Sequence, residues 1–231
     1  MEPAPVIIFD LGDTLVEYEG LPLSWETHYP EALAALAATL GLKPDAARID
    51  AACAVLRRHN TRLHPRVEEI GFAAILAEIA PGLGVPRAAD VLACARAFFG
   101  VFRQRLRCFG DTLAALTALK QRGCRIGVFT DVPYGMPREL VEEDIRAAGL
   151  AGAFDLLVTS TDIGCRKPSP LTLQHLSRTM SCPPADMVHV GNEKKDVEVA
   201  QAFGCPAILL NRHGPAADWG QDRTISLLSE L

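Results

Sequence analysis

Carboxylates, a hydroxyl, an amide and a lysine stand in the sequence where short apolar runs end. Polar side chains of this kind follow the runs at 6–10, 125–130 and 187–191, and a lysine lies in the loop after the run at 155–160. Hard oxygen ligands suit Mg²⁺, while a lysine and a threonine suit a phosphoryl group. An aspartate beside such a metal can attack phosphorus. The residues concerned are Asp10, Asp13, Thr130, Asp131, Lys167, Asn192, Glu193 and Asp196.

The apolar runs alternate with segments of helical length along most of the chain. Runs at 6–10, 125–130, 155–160, 187–191 and 206–210 predict buried strands, and segments 111–122, 138–148 and 171–180 predict helices. This alternation indicates an α/β fold with a parallel sheet. Because ligands of doubly wound sheets bind outside the carboxyl ends of the strands, we expect the polar residues that end the runs to meet in one site.

The stretch from residue 23 to residue 105 interrupts this alternation. It shows helical periodicity without strand signals, and glycine- and proline-rich turns divide it. The predicted helices cover 25–40, 45–63, 67–79 and 87–106. The sequence therefore predicts a helical domain at 18–106, inserted into a core domain formed by 1–17 and 107–231.

Composition narrows the function classes. The chain has 231 residues, of which 49% are hydrophobic and 22% charged, as in a folded globular protein. Its net charge of -5 disfavours nucleic acid and anionic membrane surfaces as partners. The seven cysteines are scattered and indicate reduced thiols, and neither a leader pattern nor an apolar run of bilayer length is present. We expect a cytoplasmic protein with no nucleic-acid or membrane partner, and the oligomeric state stays open.

Four segments resemble, in order, the motifs of the haloacid dehalogenase (HAD) superfamily. They are residues 9–15 (FDLGDTL), 127–131 (GVFTD), 167–168 (KP) and 191–196 (GNEKKD). Four motifs in the right order are far more specific than any one of them alone. The resemblance covers nearly the whole chain and is closest to phosphatase-like members with a helical cap after the first motif. It implies a Rossmann-like HAD core, a doubly wound parallel sheet, with the inserted segment as an α-helical cap domain.

The resemblance also implies a role for each matched residue. Asp10 would attack phosphorus to form an aspartyl phosphate. Thr130 and Lys167, with Asp131 beside them, would hold the substrate, and Mg²⁺ would be bound by Asp10, Asp196 and the backbone carbonyl of Gly12. The implied function is a Mg²⁺-dependent hydrolase that acts on a small phosphorylated metabolite.

Two positions depart from the family pattern. Gly12 stands where phosphatases of the superfamily usually carry a second aspartate, the acid that protonates the leaving oxygen. Asp13 could replace it only if the loop is locally distorted, because neighbouring side chains of an extended backbone point in opposite directions. Asn192 stands where a metal-binding aspartate is usual, which should weaken Mg²⁺ binding, and Glu193 could restore the lost charge.

A run of basic side chains lies in the predicted cap. One interpretation is a solvated helix face, and the other is that Arg58 and Arg62 bind the anionic tail of a substrate, since cap domains close over active sites. The run consists of Arg57, Arg58, His59, Arg62, His64 and Arg66.

Two rival functions stay open. Dehalogenases of the superfamily also lack the second aspartate and attack carbon without metal, so the protein could act on a 2-haloacid. Alternatively, a degenerate member could bind a phosphorylated ligand or a protein without turnover.

Overall fold

The computed structural model describes residues 5–214 and 217–231. Residues 1–4 lie outside this range. The predicted core domain includes them, and the expectation that the chain has no leader partly rests on them. Within the described range, six parallel strands form one sheet in the order β5-β4-β1-β6-β7-β8. The strands are β1 (Val6–Phe9), β4 (Arg125–Thr130), β5 (Leu156–Thr159), β6 (Met187–Gly191), β7 (Ala207–Leu210) and β8 (Arg223–Ile225). The predicted parallel α/β fold is confirmed, and β8 was not predicted.

Helices cover both faces of this sheet because its central strand is apolar on both sides. Ile7 and Phe9 of β1 enter one buried apolar cluster, and Val6 and Ile8 enter the other. The flanking helices are α5 (Thr112–Gln121), α6 (Arg138–Ala147), α7 (Ser160–Ile163), α8 (Leu171–Thr179) and α9 (Lys194–Phe203). Among the described residues, no helix is long and apolar enough to span a bilayer.

Four helices form the inserted segment, at bounds that differ from the predicted ones. They are α1 (Tyr29–Thr39), α2 (Ala46–His59), α3 (Phe72–Leu83) and α4 (Val91–Arg103). The third helix begins five residues later than the predicted start at 67, because residues 67–69 hydrogen-bond to the core instead. It also continues through Pro81, which occupies the last turn. Its C-cap is Gly84, whose φ of 79° suits glycine.

A short antiparallel pair joins the insertion to the core. Strands β2 (Val16–Tyr18) and β3 (Leu106–Cys108) pair with each other, and neither was predicted, because three residues give too little pattern. The predicted domain boundaries at 17/18 and 106/107 fall inside this pair. The assignment of 18–106 as a cap domain stays a prediction.

A second attachment joins the insertion to the core on another side. The amide of Glu69 donates to the Gly164 carbonyl at 3.0 Å, and the amide of Arg166 donates to the Val67 carbonyl at 2.7 Å. Arg166 also forms a buried ion pair with Glu69. Nearby, Gly135 has a φ of 61° and lies so close to the backbone at 70–72 that a side chain would collide with it. The insertion is therefore fixed to the core at more than its two chain connections.

Candidate active site

A cavity of about 150 Å³ opens at the carboxyl ends of β1 and β4. The core contributes polar side chains to its wall, and the insertion contributes both polar and apolar ones. Its lining includes Asp10, Gly12, Asp13, Thr130, Asp131, Arg166, Glu193 and Lys195 from the core and Tyr18, Leu21, Trp25, Asn60, Thr61 and Arg62 from the segment 18–106. We call this cavity the catalytic pocket.

Asp10 directly follows β1 and is in contact with a buried lysine. The Lys167 Nζ atom lies 2.5 Å from Asp10 Oδ1 and 2.6 Å from Asp196 Oδ1, so one ammonium bridges two carboxylates. Burial raises the pKa of Asp10 to about 7, against the opposing charge of Lys167. Burial lowers the pKa of Lys167, but the charges of Asp10 and Asp196 outweigh it and hold that pKa above its usual range. A further cation beside Asp10 would favour its ionised form.

The Asp196 carboxylate is fixed by the start of α9. Its Oδ2 atom accepts hydrogen bonds from the amides of Asn192, at 3.1 Å, and Glu193, at 2.9 Å. A side chain at position 191 would collide with this carboxylate, which accounts for Gly191 at the end of β6. Burial opposes ionisation of Asp196, but the charge of Lys167 overcomes it and lowers the pKa. His189 is also close, with Nε2 3.5 Å from Asp196 Oδ1.

Thr130 and Asp131 end β4 and face the same pocket. The Thr130 hydroxyl makes no hydrogen bond to any residue within the described range, so it is available to a ligand in the pocket it lines. Asp131 Oδ1 accepts a hydrogen bond from the Lys167 amide at 3.1 Å, and its Oδ2 lies 3.2 Å from Lys195 Nζ. Burial raises the pKa of Asp131, but the charges of Lys195 and Arg166 outweigh burial and lower that pKa below its usual value.

The loop after Asp10 has the distortion that an acid at position 13 requires. Asp13 has a φ of 55°, in the left-handed region, and its side chain lines the catalytic pocket. Burial raises the pKa of Asp13, and the charge of Glu193 adds to that effect. A Cβ atom at Gly12 would meet nothing within 4 Å, so this position has room for a side chain.

Oxygen donors that suit a divalent cation lie around Asp10. Thr14 Oγ1 is 3.2 Å from Asn192 Oδ1 and 3.4 Å from Asp10 Oδ2, which places the amide and the carboxylate on one side of the loop. Across the described residues, no three His, Cys, Asp or Glu side chains cluster as a metal site. The donor set nevertheless fits Mg²⁺ through two carboxylates, an amide and the Gly12 carbonyl, with one charge fewer than a site that has aspartate at 192.

Of the two arginines predicted to bind substrate, only Arg62 lines the catalytic pocket. Its Nη1 and Nη2 atoms donate to the Glu193 carboxylate at 2.8 and 2.5 Å, and this ion pair joins the insertion to the core. Glu193 was expected to add its charge to the metal site, but here its carboxylate is bound to Arg62. Arg58 lies on the exposed side of α2 and pairs with Glu78 at 3.2 Å. The structure therefore does not bring Arg58 into the pocket with Arg62, because α2 ends at His59 and the chain turns between the two arginines.

Several pocket residues were not assigned a role from the sequence. Lys195 pairs with Asp131, and Arg166 contacts Glu69, the Val132 carbonyl and Thr61. Lys195 could have been noticed, since it directly precedes Asp196 in the fourth motif. Arg166 likewise directly precedes Lys167 in the third motif, but its partners come from distant parts of the chain and could not be read from the sequence.

The chain is similar in sequence to known hydrolases. A family model described as haloacid dehalogenase-like hydrolase matches residues 4–204. The phosphoglycolate phosphatase of Escherichia coli is 31% identical over 118 residues, 50% of this chain and 44% of that protein. The phosphoglycolate phosphatase of Neisseria meningitidis is 32% identical over 102 residues, 44% of this chain and 42% of that protein. The chain thus aligns with less than half the length of these curated relatives.

Solved structures share the fold over nearly their whole length. A HAD phosphatase from Thermococcus onnurineus has a TM-score of 0.67 and 21% identity, covering 98% of this chain and 95% of its own. A 2-haloacid dehalogenase from Pseudomonas syringae pv. Tomato has a TM-score of 0.65 and 23% identity, covering 99% and 96%. Because a phosphatase and a dehalogenase match this chain equally well, these likenesses establish the fold. The reaction has to be inferred from the side chains of the site.

Proposed function

Because the chain belongs to the haloacid dehalogenase-like hydrolases, we propose that it is a Mg²⁺-dependent phosphatase that acts through an aspartyl phosphate on Asp10. The observation that carries this proposal is the buried Lys167 ammonium bridging Asp10 and Asp196. Asp10 also lines the catalytic pocket together with Thr130, whose hydroxyl no described side chain engages. A carboxylate and a hydroxyl that line one pocket, with a buried cation in contact with the carboxylate, suit a phosphoryl group.

In the first half of the reaction, an Asp10 carboxylate oxygen attacks phosphorus and the bond to the leaving oxygen breaks. Asp10 Oδ1 is held by Lys167, whereas Oδ2 receives only a 3.4 Å contact from Thr14. Oδ2 is therefore the oxygen we assign to the attack. Lys167 and Thr130 hold the phosphoryl oxygens, and the leaving oxygen takes a proton from an acid of the pocket.

In the second half, water attacks the aspartyl phosphate, its proton passes to the base of the pocket, and phosphate and the Asp10 carboxylate are released. We assign the acid and base role to Asp13. Its left-handed backbone, its place in the pocket lining and its raised pKa, which favours the protonated form, all support this assignment.

A bound Mg²⁺ would be held by Asp10, Asp196, Asn192 and the Gly12 carbonyl, and it would supply positive charge that neutralises the phosphoryl oxygens. Asn192 contributes an oxygen without a charge, so we expect weak retention of the ion. Glu193 would join these ligands only after release from Arg62.

The proposed substrate is a small phosphorylated metabolite with an anionic leaving group. The pocket volume of about 150 Å³ and the cations Arg62, Arg166 and Lys195 in its lining support this class. The relatives named phosphoglycolate phosphatases make a two-carbon phosphorylated acid the first compound to test. A cytoplasmic location is proposed on the seven free cysteines, and no nucleic-acid or membrane partner is proposed.

A second candidate is hydrolytic dehalogenation of a 2-haloacid. Gly12 and Asn192 favour it, because each removes a carboxylate from a phosphatase site while leaving the nucleophile in place. The test is one panel of phosphate esters, including 2-phosphoglycolate and p-nitrophenyl phosphate, and of 2-haloacids, assayed with Mg²⁺ and with EDTA. Phosphate release that EDTA abolishes supports the phosphatase, whereas chloride release that EDTA leaves intact supports the dehalogenase.

A further inference from the structure

A second cavity, of about 460 Å³, lies along the junction of the insertion and the core. Its outer wall comes from the chain between α2 and α3 and from the start of α9. Six residues line both this cavity and the catalytic pocket, so the two share a wall: Thr61, Arg62, Asp131, Arg166, Glu193 and Lys195. We call the second cavity the seam cleft. It is further lined by Pro65, Arg66, Val67, Lys167, Pro168, Lys194 and Glu198.

The seam cleft is basic in a protein whose net charge is -5. Six basic side chains line it against three acidic ones, Asp131, Glu193 and Glu198. Clustered charge of one sign in a cleft concentrates ions of the opposite sign there. Two of the six cations, Arg166 and Lys167, are already paired with buried carboxylates behind the wall. The cations open to a ligand therefore lie on the outer wall of the cleft.

Arg66 is the cation of this cleft that lacks a counter-charge. Its Nε and Nη1 atoms donate to the carbonyls of Glu68, at 3.2 Å, and His59, at 3.0 Å. Its buried Nη2 atom has no acceptor, and no carboxylate of the described chain forms an ion pair with it. Burial lowers the pKa of Arg66, and the charge of Arg166 lowers it further. An anion beside Arg66 would relieve both unfavourable contributions.

We propose that the seam cleft is a second phosphate-binding site, with Arg66 and Lys194 as its principal cations. Lys194 has only an exposed partner, Glu198 at 2.9 Å, and can exchange it for a ligand. A phosphate group suits the site because a guanidinium and an ammonium recognise its oxygens through charge-assisted hydrogen bonds. The volume of about 460 Å³ and the negative net charge of the chain disfavour an extended polyanion.

This phosphate has two possible sources, and both follow from the shared wall. It is either the second phosphate of a bisphosphorylated substrate or the inorganic phosphate that the reaction releases. The Arg62–Glu193 pair and Lys195 stand between the two cavities, so a ligand in the seam cleft neighbours the reacting group. The identity of the source rests on the proposed function, whereas the existence of the site does not.

The decisive experiment counts sites for inorganic phosphate by isothermal titration calorimetry of the intact protein with Mg²⁺. We expect two sites in the wild type and one in the double variant Arg66→Gln, Lys194→Gln. The matched control is Arg58→Gln, Lys120→Gln, which removes the same charge from two residues that line neither cavity. Lys194→Glu changes only an exposed side chain, so a folding defect is not expected. It should weaken phosphate binding at the second site about tenfold or more. A phosphate site that is lost in the cleft variants but not in the control supports the proposal whether or not the catalytic pocket also binds phosphate. The same number of sites with the same affinities in the wild type and in both cleft variants would overturn it.

Kinetics with the same variants separate the sources. If the phosphate belongs to the substrate, the cleft variants should have a KM for fructose 1,6-bisphosphate that is about tenfold higher than that of the wild type, while their KM for p-nitrophenyl phosphate is unchanged. A product source predicts weaker inhibition of p-nitrophenyl phosphate hydrolysis by free phosphate at an unchanged KM. If the protein binds phosphate at two sites but hydrolyses no phosphate ester, the proposed function is wrong and the phosphate site in the seam cleft is still supported.

Discussion

Lys167 and Asp10 are 157 residues apart in sequence, yet the ammonium nitrogen of one lies 2.5 Å from a carboxylate oxygen of the other. The Lys167 side chain is fully buried, so its charge is not screened by water. The proposed nucleophile and the cation beside it are therefore fixed relative to each other before any substrate binds. The first two predictions test this pair.

Asp10→Asn should abolish turnover, because the amide keeps the volume of the side chain and cannot act as the nucleophile. Steady-state assays on the best substrate of the panel measure the loss. Circular dichroism and a thermal melt should match those of the wild type. Retained activity above a few per cent would contradict the aspartyl-phosphate mechanism.

Lys167→Ala should lower kcat by on the order of 10² to 10³, the usual loss when one charge-stabilising donor is removed. Lys120→Ala is the matched control, because Lys120 pairs with Asp155 at the surface, away from the catalytic pocket. A thermal melt should accompany the assay, since Asp10 and Asp196 lose their shared counter-charge. Equal rates in the two variants would show that Lys167 only forms ion pairs and does not contribute to catalysis.

Gly12→Asp should restore alkyl phosphate hydrolysis in a protein that also carries Asp13→Asn, by up to the roughly 10² to 10⁴ that a positioned acid and base contributes. In the otherwise unchanged chain the gain should be small, because Asp13 is proposed to supply the acid already. The backbone accepts the change, because a Cβ atom there meets nothing within 4 Å and φ lies outside the left-handed region. Gly12→Ala controls for the loss of glycine itself. The measurement is the dependence of kcat/KM on leaving-group pKa. It should be steep in Asp13→Asn, flatten when Gly12→Asp is added, and stay steep when Gly12→Ala is added instead.

Asp13→Asn tests whether the neighbouring aspartate already serves as the acid. If it does, hydrolysis of alkyl phosphates should fall by 10² or more, while esters with good leaving groups should change little. The left-handed backbone tolerates asparagine, so a folding defect is not expected. Uniform loss across all leaving groups would assign Asp13 to the loop structure instead.

Asp131→Asn should destabilise the protein at neutral pH by on the order of 1 to 3 kcal/mol, because Lys195 and Arg166 lose a buried counter-charge. The folded-state pKa of Asp131 is lowered, so its contribution is fully present above the unfolded-state pKa of about 3.9 and is lost as pH falls through the folded value. Urea unfolding at pH 7 and below pH 4 measures this difference. Asp50→Asn, which removes the same charge at an exposed position of α2, is the matched control.

The sheet could be predicted from the sequence because β1, β4 and β6 are continuous apolar runs that end in polar residues. Strands β2, β3 and β8 have three residues each and carry too little pattern to predict. The start of α3 was misplaced for another reason. Residues 67–69 favour helix locally, but their backbone groups hydrogen-bond to residues 164–166, a partner that only the folded chain supplies.

The candidate site could be predicted as far as it lies on the sheet. The ends of parallel strands must meet, so the convergence of Asp10, Thr130 and Asp131 followed from their positions alone. Contributions from the insertion could not be placed in the same way. Arg58 and Arg62 are equivalent in the sequence, and only the turn after α2 separates the one that pairs with Glu78 from the one that lines the pocket.

The backbone hydrogen bonds between 67–69 and 164–166 also bear on how readily this protein could exchange modules with its relatives. An inserted domain held by two linkers can be cut out and replaced by another. Here the replacement would have to supply a strand partner for residues 164–166, an acid for Arg166 in place of Glu69, and a surface that accepts the loop around Gly135. A chimaera joined at the two linkers alone would lack all three, so we expect its inserted domain to lose the fixed position that it has here.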